Sequence, residues 1–334
     1  MPHPFLGLGF NSWAQKFSRG NIPAAVAAFL EYVTTSVSSF TLLSTGTVDY
    51  EVDWGDGTTE SLTTNNPTHT YSSAGTYTIK VTPAEGSTYS PYYNNDASAA
   101  SIASVSSTGG SQLDSFTRSF YGASNMTSFS GDLDTSHITG NGFERAWRDC
   151  SSLTSFPQID TSGANNFGNS WRDCSSLTSF PLLDTSSVTY FYYTWANCSG
   201  LTSFPLIDTS SGVNFGNAWR NCSGLTSFPQ LDFSRGTNFF SAWFNCTGLT
   251  SFPANMFDTT GTLSSSAFNG AWRYCALTAQ SIENILVSLD TNGASNITLS
   301  INSGTNAAKT TWSAAANTAY TNLINKGWTI SYNA

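Results

Sequence analysis

Six cysteines are the residues with the widest chemical scope in this chain, because thiols can form disulfides, bind metals or act in redox chemistry. They recur every 24 residues, with a last interval of 29: Cys150, Cys174, Cys198, Cys222, Cys246 and Cys275. Equivalent residues of stacked repeats lie about 4.8 Å apart with parallel side chains, whereas a disulfide needs Cβ atoms roughly 3.5–4.5 Å apart and facing each other. The spacing therefore predicts a ladder of free, buried thiols.

Histidines and carboxylates are the next candidates for catalysis or metal binding. The three histidines, His3, His69 and His137, lie far apart in sequence, which argues against a histidine-based triad or zinc site. Asp53 and Asp56 could form an acid/base pair or a calcium site, but a turn between strands explains them better. Neither a phosphate-binding glycine-rich loop nor a dinucleotide fingerprint occurs, so we predict no metal and no cofactor.

One aspartate also recurs in each repeat, which raises the alternative of stacked calcium sites. The members of this row are Asp160, Asp184, Asp208 and Asp232. A single carboxylate per repeat is too few for such sites, and Asp side chains commonly accept hydrogen bonds from amides close by in the chain. We interpret the row as turn and capping chemistry.

Arginine follows the repeated tryptophan in four copies of the repeat. The four are Arg148, Arg172, Arg220 and Arg273. Other copies have Ala196 or Phe244 there, and a varying position on a fixed repeat is usually exposed. In an acidic protein such a row could bind a glycan carboxylate or a partner protein. The alternative is that each arginine pairs with a neighbouring acid such as Asp149 or Asp173.

Tryptophan marks the same repeat. Its members are Trp147, Trp171, Trp195, Trp219, Trp243 and Trp272. If exposed, these rings would form a stripe on which sugars stack. Their strict phase beside the cysteines and a recurring leucine favours packing in the core instead.

The full unit reads roughly Phe-x-x-x-Trp-x-x-Cys-Ser-x-Leu-Thr-Ser-Phe-Pro-x-Leu/Ile-Asp-Thr-Ser. A unit this short cannot bury its apolar residues alone, so the units must stack as coils of a solenoid. The Leu-Thr-Ser-Phe segment alternates apolar and polar residues, which predicts a strand in each coil and a narrow parallel sheet along the stack.

This unit is similar to the BspA-like leucine-rich surface repeat, over about residues 101–277. The resemblance implies a leucine-rich-repeat-like solenoid, expected at residues 96–278, that serves adhesion and recognition on cell or virion surfaces. Tryptophan stands here where that family often has methionine.

Upstream, Trp54-Gly55-Asp56-Gly57 and His69-Thr70-Tyr71 with Gly75-Thr76-Tyr77 indicate strands around a tight turn. These motifs resemble those of a polycystic-kidney-disease-type (PKD) domain. The resemblance implies an immunoglobulin-like β-sandwich at residues 36–95 that serves spacing or binding, and a structural role for His69. Edge strands are expected over residues 36–43 and 87–93.

The two ends of the chain fit neither region. Residues 1–35 are expected to be a docking arm with a short helix over residues 23–33, or else an arm that folds back on the sandwich. Residues 279–334 are expected to be an α/β cap. Its predicted elements are a helix over 279–289, a strand over 297–301, a helix over 307–325 and a strand over 328–332. The predicted fold is therefore mainly β: a sandwich, a solenoid of about 24-residue coils and a cap.

Composition limits the function. Charged residues make up 10% of the 334 residues and the net charge is −9, which argues against a nucleic-acid partner or an anionic membrane surface. No run approaches the 18 or so apolar residues that a membrane span requires. The first residues lack the basic start of a signal peptide, so we expect none.

These features together predict a non-enzymatic virion protein of a tailed phage, as a head fibre, capsid decoration or tail fibre. Residues 281–289 through 326–328 also resemble the ends of tailed-phage structural proteins with such repeats. Expected partners are other virion proteins, through the N-terminal arm, and a host-surface glycan or protein, with the chain on the virion surface. The alternatives are a bacterial cell-surface adhesin, and a polysaccharide-degrading enzyme that would need an acidic pair in a cleft.

Overall fold

The computed structural model describes residues 30–46, 49–84, 87–107, 113–131, 133 and 135–334. Their strands are β1 (Leu30–Thr34), β2 (Val37–Thr41), β3 (Ser44–Thr45), β4 (Tyr50–Asp53), β5 (Thr59–Leu62), β6 (Thr68–Gly75), β7 (Thr78–Pro83), β8 (Ser90–Pro91), β9 (Ile102–Ser107), β10 (Ser128–Gly131), β11 (Thr298–Ile301) and β12 (Thr329–Tyr332). Their helices are α1 (Ala279–Asn292) and α2 (Ala314–Asn325), with short 3-10 turns at Ala99–Ser101 and Lys309–Thr311.

The N-terminal region is a β domain built on a six-stranded sheet in the order β10-β9-β1-β7-β4-β5. β2 pairs with β6, and β3 pairs with β8. Tyr32 of β1 meets Phe40 of β2 with ring centroids 6.4 Å apart, so the large sheet packs on the β2–β6 pair. The hairpin of β4 and β5 closes through Gly55-Asp56-Gly57, as predicted. Because β10 belongs to the repeats, this sheet continues directly into them.

The predicted helix over residues 23–33 is wrong for its described end, where residues 30–33 belong to β1. Alternate residues Leu30, Tyr32 and Thr34 are buried, which is the pattern of a strand rather than a helix. β1 pairs antiparallel with β7 on one side and with β9 on the other. Hydrogen bonds to both neighbours outweigh the helical preference of the alanine-rich segment before it. The rest of that segment, and residues 1–29 of the predicted arm, lie outside the described residues.

In the repeats the tryptophan rings form a buried stack. Successive ring centroids lie 5.5, 6.3, 5.6, 5.4 and 5.0 Å apart from Trp147 to Trp272, with interplanar angles of 12° or less. All six side chains are fully buried. A phenylalanine from the Phe-Pro step meets each ring edge-on, as Phe180 does with Trp171 at 4.8 Å. The prediction that these tryptophans form the core rather than a sugar-binding stripe is confirmed.

Tight turns carry a regular set of backbone hydrogen bonds between the repeats. The amide of Trp171 donates to the carbonyl of Thr194 at 3.0 Å, and that of Asp173 donates to Ala196 at 2.8 Å. The same pattern of alternate donors recurs in the neighbouring repeats. Each repeat is thereby fixed in register on the next.

The turns are closed within each repeat by bonds between residues three apart. The amide of Cys174 donates to Trp171 at 3.2 Å, with Asp173 between them at φ 66°. The amide of Ser170 closes a similar turn around Asn169 at φ 59°. A positive φ at the third residue is the mark of a type II turn, and Asn and Asp tolerate it better than other side chains.

The predicted parallel sheet of Leu-Thr-Ser-Phe segments is wrong beyond its first copy. Of the described copies, only β10 is a strand, and a single isolated bridge joins Ser227 to Ser251 farther along. Each later segment runs into a proline, which has no amide hydrogen to donate to a ladder. The segments stay extended and are joined only by scattered hydrogen bonds, such as the one from the amide of Thr250 to the carbonyl of Thr226 at 3.0 Å.

The six cysteines are free and buried, which confirms the predicted thiol ladder. Each thiol donates to a backbone carbonyl of the preceding repeat, as Cys198 does to Trp171 at 3.0 Å and Cys275 to Trp243 at 3.0 Å. Burial raises the pKa of Cys246 to about 12, which keeps the thiol protonated and unreactive.

Thiol labelling should follow unfolding. In denaturant without reductant we expect six reactive thiols per chain, and in native buffer no rapid reaction, because all six side chains are buried. Mass spectrometry after alkylation under the two conditions measures both numbers. A count of zero in denaturant would mean that the cysteines are crosslinked and would contradict the ladder.

The C-terminal cap matches its prediction except at the start of its second helix. α1 begins after Thr278, whose side chain accepts from the amide of Ser281. α2 begins at Ala314 rather than at residue 307, because Lys309–Thr311 form a 3-10 turn and Ser313 caps the helix. β11 and β12 pair in parallel. One hydrophobic cluster runs from Leu30 to Trp328, and no helix in the described part of the chain is long and apolar enough to span a membrane.

Candidate functional site

The signature residues of the β domain are engaged in structure. The His69 ring stacks on Trp54 with centroids 5.0 Å apart, and its Nε2 lies 2.8 Å from Asp56 Oδ2. This hydrogen bond, together with one from the amide of Thr58, lowers the pKa of Asp56 to about 2. Asp53 accepts from the amide of Gly55 at 2.9 Å. The turn interpretation of both aspartates and the structural role of His69 are therefore confirmed.

The repeated aspartates also act in turns. Asp160 Oδ1 accepts from the amide of Ser162 at 2.9 Å, and the equivalent bonds recur at Asp184, Asp208 and Asp232. Their carbonyls accept from threonines of the preceding repeat, as Asp184 does from Thr161 at 2.6 Å. The capping interpretation is confirmed. In the described ranges, no three or more His, Cys, Asp or Glu side chains converge as a metal site.

The alternative interpretation, in which each arginine of the row pairs with a neighbouring acid, holds for two of its four members. Arg148 Nε lies 3.7 Å from Asp149, and Arg172 Nε lies 3.0 Å from Asp173. All four guanidinium groups also lie over aromatic rings, at 4.7, 4.9, 4.1 and 4.9 Å from the centroids of Tyr121, Tyr193, Phe244 and Tyr274, respectively. Cation–π contacts of this kind hold the arginines in place, and ligand binding by the row stays a prediction.

A side-chain ladder occupies the position just before each cysteine. Asn245 donates to Asn221 at 3.0 Å, Asn221 donates to Asn197 at 2.6 Å, and Asn197 donates to Asp173. Asp149 occupies the same position in the preceding repeat. Because it is a second carboxylate beside Asp173, no side-chain amide is available there to continue the ladder. Burial, followed by the nearby Asp173 carboxylate, raises the pKa of Asp149 to about 6, against the partial compensation of Arg148 and Arg172.

Replacing Asp149 with asparagine should stabilise the protein at alkaline pH. The wild type loses stability as pH rises from the unfolded-state pKa near 4 to the folded-state value of about 6, because the native state resists losing this proton. Asp149→Asn has no such titration, and should gain about 1 kcal/mol at pH 8, after allowance for solvent exposure, but almost nothing at pH 4. Urea unfolding at both pH values measures the difference. An equal gain at pH 4 and pH 8 would contradict this account.

An open cleft on the turn face is the clearest candidate for a binding site. We call it the aromatic cleft; its volume is about 440 Å³, within the range of roughly 300–1,000 Å³ typical of small-ligand sites. Tyr192 and Phe240 line it, and their side chains are 41% and 40% exposed, although both are large and apolar. Between them lies Gly216, where an added Cβ would come within 3.2 Å of the Tyr192 ring. A side chain at Gly216 would therefore crowd the Tyr192 ring.

Polar groups complete the aromatic cleft. Asn217 lines it and is only 2% exposed, yet its Oδ1 has no hydrogen-bond partner among the described residues. Thr262, Ser264 and Ser266, all exposed, also line the cleft, and we call their hydroxyls the hydroxyl wall. A buried oxygen without a hydrogen-bond partner normally costs about 1–3 kcal/mol. We therefore expect a bound group or a water molecule to donate a hydrogen bond to it.

Sequence reasoning missed this cleft, although the sequence contains its signal. Gly168, Tyr192, Gly216 and Phe240 share one repeat position, so two glycines alternate with two aromatics. The interval from Trp243 to Trp272 is five residues longer than the others, and the lengthened repeat supplies the hydroxyl wall. In repeat proteins, insertions commonly map to the binding face. The deviations from the repeat, rather than its regular arginines, mark the site.

Comparison with known families finds one match. Residues 23–91 match the PKD domain family, which agrees with a PKD-type β domain and begins N-terminal to the predicted boundary at residue 36. Strand β1 lies within the matched range. No curated protein and no solved structure matches the chain.

Proposed function

We propose that this chain is a non-enzymatic structural protein of a tailed-phage virion, as a head fibre, capsid decoration or tail fibre, that presents its repeats for recognition of a host-surface glycan or protein. In this proposal the repeats are BspA-like coils of a leucine-rich-repeat-like solenoid, and residues 279–334 are its cap. Other virion proteins hold the chain on the virion surface through the N-terminal arm.

The observation that carries the proposal is the contrast between a constant core and a varied surface. Tryptophan rings recur at 5.0–6.3 Å through the stack, while one exposed position changes from glycine to tyrosine to phenylalanine. A rigid scaffold with varied side chains on one face suits the binding of an external partner, because little conformational freedom is lost on binding. The sheet shared by β9 and β10 joins this scaffold firmly to the PKD-type domain.

A structural role rather than catalysis is supported by how the acidic side chains are used. Asp53, Asp56 and the repeated aspartates accept hydrogen bonds from backbone amides in turns. His69 is fixed between Trp54 and Asp56. These side chains are engaged in stabilising the fold. A catalytic acid/base pair would instead have to face a substrate.

Mass spectrometry of purified phage particles tests the proposal. The expected result is that peptides of this chain copurify with the particle in amounts comparable to other structural proteins, and that antibodies label the particle surface in electron microscopy. Absence from the particle would overturn the proposal. Antibody labelling of uninfected bacterial cells would instead support the cell-surface adhesin.

A further inference from the structure

We propose that the aromatic cleft binds a neutral saccharide, with pyranose rings packed against Tyr192 and Phe240 and a sugar hydroxyl donating to Asn217 Oδ1. The inference deepens the proposed recognition function by naming the site and its ligand class, and it rests on that function. It does not require the arginine row to contact the ligand.

The two exposed aromatics supply the apolar part of the site. The CH face of a pyranose ring is apolar and packs on an aromatic ring, whereas its edge carries hydroxyls that need polar partners. Tyr192 and Phe240 stand two repeats apart, with only Gly216 at the same position between them. Large apolar side chains that remain 40% exposed in a chain with a continuous buried core point to a binding surface.

Asn217 supplies the observation that points to a hydroxyl-bearing ligand. At the same repeat position, Asn169 accepts a hydrogen bond from Arg172 Nη1 at 3.5 Å. Arg220, the counterpart of Arg172, instead lies 4.1 Å over the Phe244 ring, and Asn217 Oδ1 is left without a partner in the described structure. Because Asn217 lines the cleft, a sugar hydroxyl that reaches its side-chain amide can supply the missing donor.

Tyr192 is held in position before any ligand arrives. Its ring meets Tyr193 edge-on at 4.5 Å, and the Arg172 guanidinium lies 4.9 Å over the Tyr193 ring. Arg172 is in turn paired with Asp173 at 3.0 Å. A platform fixed in advance loses little conformational freedom on binding. Arg172 is therefore a positioning residue for the cleft.

The charge of the cleft selects the neutral class of saccharide. The residues that line it are Tyr, Phe, Asn, Thr and Ser, with no charged side chain among them. Arg172, which borders it behind Tyr193, already has Asp173 as its counterion. A uronic or sialic acid would therefore find no unpaired cation in the lining. A proline-rich peptide could also pack on aromatics, but it offers few donors to Asn217 and the hydroxyl wall.

Binding of the full chain to a glycan array of neutral hexose and N-acetylhexosamine oligosaccharides, with acidic oligosaccharides and proline-rich peptides as separate arms, tests the proposal. We expect neutral glycans to bind with little salt dependence. Calorimetry on the best neutral ligand should show affinity at least tenfold weaker for Tyr192→Gly and Phe240→Gly. Both variants should fold, because glycine already occupies this repeat position at Gly168 and Gly216.

Matched controls separate binding from folding. Asn217→Gly keeps a backbone at φ 57° unstrained and removes the acceptor, so it should also weaken binding tenfold or more. Leu206→Gln removes an apolar side chain that is 63% exposed outside the cleft, and should bind like the wild type. No binding to any neutral glycan, binding only to acidic glycans or peptides, or unchanged affinity in the cleft variants would overturn the proposal. Presence in or absence from the virion is a separate result that bears only on the proposed function.

Discussion

Replacing Trp195 with alanine is expected to lower the free energy of unfolding by about 4 kcal/mol, the upper range for loss of a large buried aromatic. The ring is fully buried, with Trp171 at 6.3 Å on one side and Trp219 at 5.6 Å on the other. Phe180 and Phe204 meet it edge-on at 5.2 and 4.8 Å. A cavity here removes contacts with both neighbouring repeats, and each repeat depends on its neighbours for stability. Urea unfolding measures the loss.

Trp195→Phe is the informative comparison. The indole Nε1 of Trp195 has no hydrogen-bond acceptor in the described structure. Phenylalanine therefore leaves no acceptor without its donor, and it keeps a stacked ring. We expect it to cost about 1–2 kcal/mol, through the smaller volume alone. Equal losses for the two variants would show that an unseen partner of the indole, rather than the stack, provides the stabilisation.

The stack and the thiol ladder could be predicted because identical residues at a fixed interval must meet in stacked repeats. Trp195 and Cys198 needed no structural knowledge beyond their spacing. The mode of joining the repeats could not be predicted in the same way, because Leu-Thr-Ser-Phe alternates as a strand does. The residue before each cysteine held the better signal, since Asp173 and Asn197 both adopt a positive φ in the turns that replace the strands.

Local pattern failed where distant contacts decide the structure. The segment that ends at Val33 has the composition of a helix, yet β7 and β9 capture its last residues as a strand between them. The candidate binding site was not predicted, for a different reason. A consensus repeat keeps only the residues that most copies share. It therefore omits Tyr192 and Phe240, which differ from the other copies, and retains the arginines. In the structure those arginines pack on aromatic rings, and the departures gather in one cleft.

Asn306 should also be sensitive to substitution, because it joins the cap to the last repeat. Its side chain is 4% exposed, accepts from the amide of Leu277 at 2.9 Å, and donates to the carbonyls of Trp272 at 2.9 Å and Ile301 at 3.1 Å. In earlier repeats a thiol takes the tryptophan carbonyl, as Cys275 does for Trp243. The cysteine ladder ends at Cys275, and the amide of Asn306 takes over its role for Trp272.

Asn306→Ala should therefore lower the free energy of unfolding by about 3 kcal/mol, since several buried backbone groups lose their partner at once. Hydrogen exchange should show the Leu277 amide losing protection before amides in the middle of the stack, because opening would begin where the cap separates from the last tryptophan layer. Asn302→Ala removes a less buried amide nearby and should cost under about 1 kcal/mol. Wild-type stability of Asn306→Ala would mean that apolar packing alone, including the contact between Phe268 and Trp328 at 6.4 Å, holds the cap in place.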